Sequence, residues 1–253
     1  MNPSAGGTKS VRTALILGGT GEAYRLAGEI AAGLGWRPLT SLAGRTRSPR
    51  QPAGETITGG FGGPEGMIDF LNERRISAVI DATHPFAERI SQNAAEACAR
   101  AGVPLVRVER PPWPEEPGWR PVPGLKEAAA FFRDRRERVF LTVGKKELEA
   151  FQDAGQCFFL IRTIDPVESP VPIEGAEYIQ GRGPFSAESE RGILSDYGIT
   201  WLVAKNSGGE AGEAKLIAAG ELGVRVCMIS RPEAPEGDSV ESVDEALDWL
   251  AHL

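Results

Sequence analysis

The sequence is poor in the residues that build metal centres and disulfide frameworks. Only three cysteines (Cys98, Cys157 and Cys227) and two histidines occur in 253 residues, and no cysteine belongs to a Cys-x-x-Cys pair. An odd, dispersed set of cysteines indicates a reduced, cytoplasmic protein whose thiols are buried as small hydrophobic groups. We therefore expect neither a bound metal nor a disulfide framework.

Long apolar runs and excess positive charge are also missing. No run of about 18 apolar residues exists, which argues against a transmembrane helix and a membrane partner. Residues 1–8 lack the charged and apolar regions of a signal peptide, and we expect them to form a disordered tail. The net charge of −7 disfavours nucleic-acid binding. It leaves an anionic small molecule open, because local cations decide that case.

Short apolar runs alternate with helical patterns along both halves of the chain. In the first half the patterns predict strands at 13–17, 37–42, 55–58, 78–81 and 104–108, and helices at 22–32, 64–74 and 85–100. In the second half they predict strands at 138–142, 157–161, 201–204 and 224–229, and helices at 126–135, 146–152, 186–196, 213–219 and 243–250. This order is typical of parallel sheets covered by helices.

A proline-rich stretch separates the two halves. Residues 111–123 hold six prolines, which neither a helix nor a central strand tolerates. We predict an α/β protein with two Rossmann-like domains whose parallel sheets are flanked by helices. The predicted boundaries are 11–110 for an N-terminal cofactor-binding domain, 111–123 for a linker and 124–253 for a C-terminal substrate-binding domain.

A glycine-rich turn follows the first predicted strand and opens the first helix. It reads Gly18-Gly19-Thr20-Gly21-Glu22, and Gly19 and Gly21 occupy the first two positions of the Gly-x-Gly-x-x-Gly fingerprint, whereas Tyr24 stands at the third. Glycine there lets the backbone approach a pyrophosphate, which the free N–H groups of the helix start then bind. The alternative is a tight strand-to-helix turn without a ligand.

The segment after the second strand indicates which dinucleotide is bound. NAD sites often carry an acidic residue there, but this segment has none and offers Ser41, Gly44, Arg45 and Arg47 instead. Hydroxyl and guanidinium groups suit a 2′-phosphate, because arginine makes charge-assisted, bidentate bonds to it. The pattern favours NADPH, with an exposed basic loop as the alternative.

Polar residues also follow the fourth predicted strand, at the sheet edge where ligands of open parallel sheets bind. Asp81 and Ala82 lead into the cofactor-site candidates Thr83, His84, Pro85 and Phe86. His84 is the candidate general acid, provided that it reaches the substrate. Otherwise it is a loop residue with satisfied hydrogen bonds.

Two glycine-rich loops of the second half combine cations with small hydrogen-bond donors. Such loops are equipped to recognise carboxylates or phosphates, or else they are ordinary capped loops. The substrate-binding candidates in and near them are Arg182, Ser186, Lys205, Asn206, Ser207, Gly208, Lys215 and Arg231. No phosphate-loop, His-Glu-x-x-His, nucleophile-elbow or Tyr-x-x-x-Lys motif occurs in the sequence.

With these motifs in this order, the sequence resembles the precorrin-6A reductase family of cobalamin biosynthesis. The resemblance is carried by the glycine turn at 18–22, Asp-Ala-Thr-His-Pro-Phe-Ala at 81–87, Gly-Pro-Phe-Ser at 183–186, Lys-Asn-Ser-Gly-Gly at 205–209 and Arg-Pro at 231–232. It implies a nicotinamide cofactor on the N-terminal half and a carboxylate-rich tetrapyrrole held at the edge of an interdomain cleft. It also implies reduction of the C18=C19 bond of precorrin-6A to precorrin-6B, with hydride going to C19.

Three other interpretations remain open at this point. A cobalt-precorrin-6A reductase would share these motifs. A non-catalytic NADP-binding sensor fits the missing Tyr-x-x-x-Lys pair, although the anion-binding loops argue against it. A methyltransferase that binds S-adenosylmethionine also uses a glycine-rich first turn, but the missing acidic residue after the second strand weakens that interpretation.

Overall fold

The computed structural model describes residues 11–44, 51–166 and 173–253, and the chain forms two compact units. The first unit comprises Met1–Glu109 and Ala234–Leu253, and the second comprises Arg110–Glu233. The predicted tail at 1–8 lies outside the described residues.

The described strands and helices alternate along most of the chain. The strands are β1 (Arg12–Leu17), β2 (Trp36–Leu42), β3 (Glu55–Thr58), β4 (Ile76–Asp81), β5 (Leu105–Val108), β6 (Trp119–Val122), β7 (Arg138–Leu141), β8 (Phe158–Thr163), β9 (Ala176–Gln180), β10 (Trp201–Lys205), β11 (Arg225–Ile229) and β12 (Ser239–Val240). The α-helices are α1 (Gly21–Gly33), α2 (Pro64–Glu73), α3 (Glu88–Ala101), α4 (Leu125–Phe132), α5 (Ala187–Asp196), α6 (Ala214–Leu222) and α7 (Val243–Ala251). Lys145–Phe151 and Glu210–Gly212 form 3-10 helices.

The first unit is built on a six-stranded parallel sheet with the order β12-β5-β4-β1-β2-β3. Successive side chains of β1 point to opposite faces of this sheet. Ile16 packs in one buried cluster with Leu26 and Ile30 of α1, and Leu15 packs in another with Met67 of α2. The sheet is therefore covered on both faces, as the buried apolar strands predict.

The last twenty residues belong to the first unit, which corrects the predicted C-terminal domain at 124–253. Strand β12 pairs with β5, and α7 buries Val243, Ala246 and Leu250 in the same cluster as Ile16. The apolar stripe of α7 is thus covered by the first sheet and α1. The predicted helix at 243–250 is present, but the prediction assigned it to the wrong domain.

The second unit has its own six-stranded parallel sheet, with the order β6-β11-β10-β7-β8-β9. Its edge strand β6 lies inside the stretch that the sequence predicts as a linker at 111–123, so that prediction is corrected too. Pro121 is tolerated because β6 is an edge strand. Trp113 of the same stretch is buried against Leu216 and Met228. The proline-rich stretch is therefore part of the second unit rather than a free connection.

Two parallel sheets flanked by helices confirm the predicted α/β fold. All three cysteines are buried, as expected, and none of them forms a disulfide in the structure. Burial raises the pKa of the Cys98 and Cys227 thiols to about 12, so neither is a reactive thiolate near neutral pH. Within the described ranges, no helix combines the length and the apolar character needed to cross a membrane.

Candidate functional site

The glycine turn connects the carboxyl end of β1 to the start of α1. The amide of Gly18 donates a 2.9 Å hydrogen bond to the carbonyl of Ser41 at the end of β2. A Cβ atom added at Gly18 would lie only 2.9 Å from Cγ2 of Thr40, and Gly19 has φ = +114°. Close packing at one position and a positive φ at the next explain why two glycines stand here.

The opposite side of the turn is open. A Cβ atom added at Gly19 or Gly21 would meet no atom within 4 Å. The dipole of α1, a helix of thirteen residues, makes this end attractive to anions. Glu22 occupies the first turn of the same helix. The turn therefore presents an open surface at the positive end of a helix.

Thr20 fastens the turn to the neighbouring strand. Its Oγ1 caps α1 by accepting a 3.3 Å bond from the amide of Ala23, and it donates a 2.6 Å bond to the carbonyl of Ala82 after β4. The amide of Ala82 in turn donates to the carbonyl of Leu17 at 3.0 Å. These bonds fix the turn relative to the segment that follows β4.

That segment is organised around the buried carboxylate of Asp81. Oδ1 of Asp81 accepts bonds from the amide and the hydroxyl of Thr83, at 3.1 and 2.7 Å. Nδ1 of the exposed His84 accepts a 3.2 Å bond from the amide of Phe86. In a neutral imidazole this bond places the proton on Nε2.

The structure brings several of the predicted cofactor-site residues to one edge of the first sheet. The glycine turn, Ser41 and Thr83 lie at the carboxyl ends of the adjacent strands β1, β2 and β4. Ser41 is buried, and its carbonyl supports Gly18. Gly44 has φ = +67° beyond β2. The predicted Arg45 and Arg47 lie outside the described residues.

In the second unit, Lys205 ends β10 and forms an ion pair with Glu147. The Nζ–Oε1 distance is 2.5 Å, and Oε2 of Glu147 accepts a 2.7 Å bond from the amide of Gly144. Ser207 follows in a tight turn, where its amide donates to the carbonyl of Lys205 at 2.7 Å. Lys205 is thus a partly buried cation at the carboxyl end of a central strand.

Asn206 and Arg231, two other predicted substrate contacts, direct polar atoms at the backbone. The amide group of Asn206 makes two bonds to the backbone of Trp113, at 2.8 and 3.0 Å. Arg231 donates to the carbonyls of Asn206 and Arg110, at 2.7 and 2.6 Å. The neighbouring Gly208 has φ = +62° and lies against the backbone of the proline-rich stretch. These contacts anchor that stretch to the second sheet.

The glycine-rich loop before α5 holds two further candidates. Ser186 caps α5, because its Oγ accepts a 3.1 Å bond from the amide of Ser189. Arg182 is 48% exposed and lies 3.9 Å from a carboxylate oxygen of Asp165. Ser186 therefore has a clear structural task, while much of the Arg182 side chain faces solvent.

A cavity of about 330 Å³ opens beside this loop and contains charged residues that the sequence analysis missed. Arg162 and Glu190 form an ion pair there at 2.7 Å, with side-chain exposures of 9% and 1%. Among the described residues, Oε2 of Glu190 receives no hydrogen bond. One signal was available, since Glu190 shares the buried face of the predicted helix at 186–196 with Leu194.

Lys215, a predicted substrate contact, also lines this cavity. Its Nζ donates a 2.9 Å bond to the carbonyl of Gly212 and lies 5.7 Å from the centre of the Trp113 ring. Burial, reinforced by the charge of Arg162 and opposed by that of Glu190, lowers the pKa of Lys215 to about 8. Across the described part of the chain, no cluster of three or more His, Cys, Asp or Glu residues is arranged to hold a metal ion.

Two parallel six-stranded sheets, one of which carries a glycine-rich turn between its first strand and first helix, define a Rossmann-like α/β protein. A family model described as "Precorrin-6x reductase CbiJ/CobK" matches residues 13–251. The chain belongs to this family.

Individual relatives match over nearly their whole length. The chain is 44% identical to the precorrin-6A reductase of Rhodobacter capsulatus over 94% of this chain and 95% of the relative. It is 29% identical to the cobalt-precorrin-6A reductase of Priestia megaterium over 94% and 98% of the two chains. A solved structure titled "CobK precorrin-6A reductase" has 44% identity and a TM-score of 0.91, and the match covers 95% of this chain and 96% of that chain.

Proposed function

We propose that the protein catalyses the NADPH-dependent reduction of precorrin-6A to precorrin-6B. The main support is its identity of 43–44% to three precorrin-6A reductases, each covered by at least 92% of its length. Cobalt-precorrin-6A reductases are less similar, at 27–29% identity. We therefore favour the metal-free substrate over the cobalt-containing one.

The first unit is the proposed site of the nicotinamide cofactor. The space in front of Gly19 and Gly21 is open because neither residue has a side chain to fill it. We propose that this space holds the pyrophosphate. Thr20 holds the turn in place through Ala82. Thr83, His84, Pro85 and Phe86 follow β4, the strand next to β1, and are the proposed neighbours of the rest of the cofactor.

The preference for NADPH over NADH is proposed from the segment after β2. Ser41 is the buried, next-to-last residue of that strand, and Gly44, Arg45 and Arg47 follow without an acidic residue. Guanidinium groups here would pair with the 2′-phosphate, which NADH lacks. An acidic residue would instead bind the ribose hydroxyls of NAD.

The protein's part in the reaction is mainly positioning and protonation. When bound, the reduced nicotinamide supplies the hydride that saturates the C18=C19 bond. Binding the cofactor at a rigid sheet edge lowers the entropic cost of that step. His84 is the proposed donor of the proton to C18, because it follows β4 at the same edge of the sheet as the glycine turn. Water is the alternative donor.

The carboxylate side arms of the substrate are the proposed ligands of cations in the second unit. Lys205 stands first among them, since it lies at the carboxyl end of β10 and is partly buried. A carboxylate arm would compete with Glu147 for this ammonium group. Ser207 in the loop after β10, and Arg182 and Ser186 in the loop before α5, are further proposed contacts of the substrate.

Replacing Lys205 by alanine tests the proposal that the second unit binds the substrate and the first unit binds the cofactor. We expect K205A to weaken precorrin-6A binding about tenfold or more, because a charge-assisted hydrogen bond is lost. NADPH affinity should stay nearly unchanged, since the glycine turn belongs to the other unit. The exposed Lys146 provides a matched control. Unchanged substrate affinity of K205A in direct titrations would refute the role of Lys205.

The reaction itself is tested by adding purified protein to NADPH with precorrin-6A, and separately with its cobalt-loaded form. We expect stoichiometric oxidation of NADPH, faster with the metal-free substrate, and formation of precorrin-6B. Faster turnover of the cobalt form would favour the cobalt-precorrin alternative. Binding of NADPH without turnover of either substrate would instead favour a sensor, and binding of S-adenosylmethionine would favour a methyltransferase.

A further inference from the structure

The cavity of the second unit is lined by three charged side chains and by apolar walls. Val143, Ile164 and Phe185 supply apolar surface at its lining. Among the described lining residues, Arg162 and Lys215 are the cations, and Glu190 is the acid. Two positive charges against one negative charge leave the cavity with a net charge of +1, if Lys215 is protonated. A single anionic group would neutralise it.

We infer that this cavity is a subsite for one carboxylate side arm of the substrate, with Lys215 and Arg162 as its anion-binding groups. That the bound carboxylate belongs to a side arm of the substrate rests on the proposed function. Neither Lys205 nor Glu147 lines the cavity, but Gly144, whose amide donates to Glu147, does, so the subsite adjoins the Lys205–Glu147 pair without including it.

The size of the cavity restricts what it can hold. Its volume of about 330 Å³ is near the lower end of the range for small-molecule pockets, roughly 300 to 1,000 Å³. An aliphatic stem of two or three carbons with a carboxylate fits this space, whereas a complete tetrapyrrole with its side arms is too large. The apolar walls suit the methylene groups, and the cations suit the carboxylate.

Arg162 is held in a fixed position by three contacts. It donates to Oε1 of Glu190 at 2.7 Å, and its guanidinium lies 3.9 Å from the centre of the Phe185 ring and 4.9 Å from that of Phe140. A guanidinium held in this way keeps further N–H donors on a rigid plane. The Glu190 carboxylate therefore orients Arg162 as well as balancing its charge.

Lys215 is held at the cavity by Gly212. The carbonyl of Gly212 accepts a hydrogen bond from the ammonium group of Lys215. A Cβ atom added at Gly212 would lie 3.1 Å from Nζ of Lys215. Lys215 also lies in the first turn of α6, which contains no acidic residue. The positive end of the helix dipole therefore adds to the attraction for an anion.

The cost of charging Lys215 is consistent with a binding role. Its pKa is lowered to about 8 by burial and by Arg162 on β8, while Glu190 on α5 opposes the shift. At neutral pH the side chain is mostly protonated but poorly solvated. A carboxylate in the cavity would raise this pKa again, so binding of the arm would be accompanied by partial proton uptake and would weaken above about pH 8.

The first test uses propionate, which requires neither cofactor nor macrocycle. We expect millimolar propionate to shift the backbone amide NMR signals of Gly183, Gly212 and Lys215 in the wild-type protein, whereas uncharged propionamide shifts none of them. K215M should lose the response, while K126M, which replaces an exposed lysine of α4, should retain it. No response in the wild type, or an equal response in K215M, would overturn the subsite.

The second test uses precorrin-6A with NADPH. K215M is expected to raise KM for precorrin-6A about 10- to 100-fold, the usual range for losing a hydrogen bond to a charged group, with kcat changed less than KM. NADPH affinity and the K126M control should match the wild type. A loss in kcat alone would contradict the subsite. If the wild type does not turn over precorrin-6A, the proposed function fails, and the propionate test still decides the subsite.

Discussion

Replacing Thr20 by valine removes one hydroxyl that joins three elements of the first unit. Valine keeps the shape of threonine but cannot cap α1 or donate to the carbonyl of Ala82. The variant therefore separates the hydrogen bonds of the turn from its packing. Thr20→Ser is the matched control, because serine retains the hydroxyl and loses only a methyl group.

The expected decrease in the free energy of unfolding follows from the two hydrogen bonds that are lost. Loss of an N-cap typically costs about 0.5 to 2 kcal/mol, and the long 3.3 Å bond to the amide of Ala23 places this cap near the lower end. The short 2.6 Å bond to Ala82 contributes about 1 kcal/mol, to which the cost of an unpaired, part-buried carbonyl is added. The sum is roughly 2 kcal/mol.

Thermal and urea unfolding of T20V, T20S and wild type measure this loss. For a chain of this size, about 2 kcal/mol corresponds to a melting temperature lower by roughly 4 to 8 °C. Hydrogen exchange at the amide of Ala23 should accelerate in T20V, because its acceptor is gone. NADPH affinity should also fall, since the turn is no longer tied to the segment after β4.

T20S should lie close to the wild type in all three measurements. A T20V protein as stable as the wild type would show that the hydroxyl bonds contribute nothing. Equal destabilisation of T20V and T20S would assign the effect to the methyl group and refute the reasoning.

Three other predictions concern glycine packing, the 2′-phosphate and the partly buried Lys215. Gly208→Ala should destabilise the protein by more than about 2 kcal/mol in urea titrations, because its Cβ would lie 2.1 Å from a backbone oxygen at φ = +62°. Gly192→Ala, in the middle of α5 with no atom within 4 Å, should instead stabilise by about 0.5 to 1 kcal/mol; similar effects of both changes would contradict this account. Arg45→Ala should weaken NADPH binding much more than NADH binding, and an equal loss would count against the 2′-phosphate contact. Lys215→Met should raise the free energy of unfolding at pH 7 by up to about 3 kcal/mol, because the pKa of Lys215 is about 8 in the folded chain against a usual 10.5. Between these pH values the unfolded chain holds a proton that the folded chain has lost. The free energy of unfolding of the wild type therefore rises towards that of the variant as pH rises. A difference that does not change with pH would refute this assignment.

Sequence reasoning succeeded where a short segment determines the structure. The run from Ala14 to Leu17 is buried and apolar, and the glycines after it favour a sharp turn into a helix. The same holds for Glu55–Thr58, which is a strand with the predicted bounds. Local signals also located the carboxyl ends of the strands, where the candidate residues lie.

Contacts between distant segments were not predictable in this way. The helix at 243–250 shows its apolar stripe in the sequence, but nothing local indicates that α1 covers it. Strand β12 has only two residues and depends on its pairing with β5. The third helix begins at Glu88 rather than at Pro85, because the amide of Ala87 closes a turn onto the carbonyl of His84.

The candidate substrate-binding residues of the second unit also depend on contacts between distant segments. Lys205 was identified as a cation in a suitable loop and Lys215 as a cation near it, but Arg162 was not identified, because its partner Glu190 lies 28 residues away. Asn206 and Arg231 were predicted as substrate contacts from their residue types. The structure shows both bonded to the backbone, a role that residue type alone does not indicate.

The central claim is that the glycine turn of the first unit holds NADPH. It is tested most directly by titrating NADPH into the wild type and into Gly21→Val, whose side chain would enter the open space before the turn. The account predicts clear NADPH binding by the wild type and an affinity at least about tenfold lower in G21V, with the fold intact by circular dichroism. Equal NADPH affinity of the two proteins, or no binding by the wild type, would contradict it.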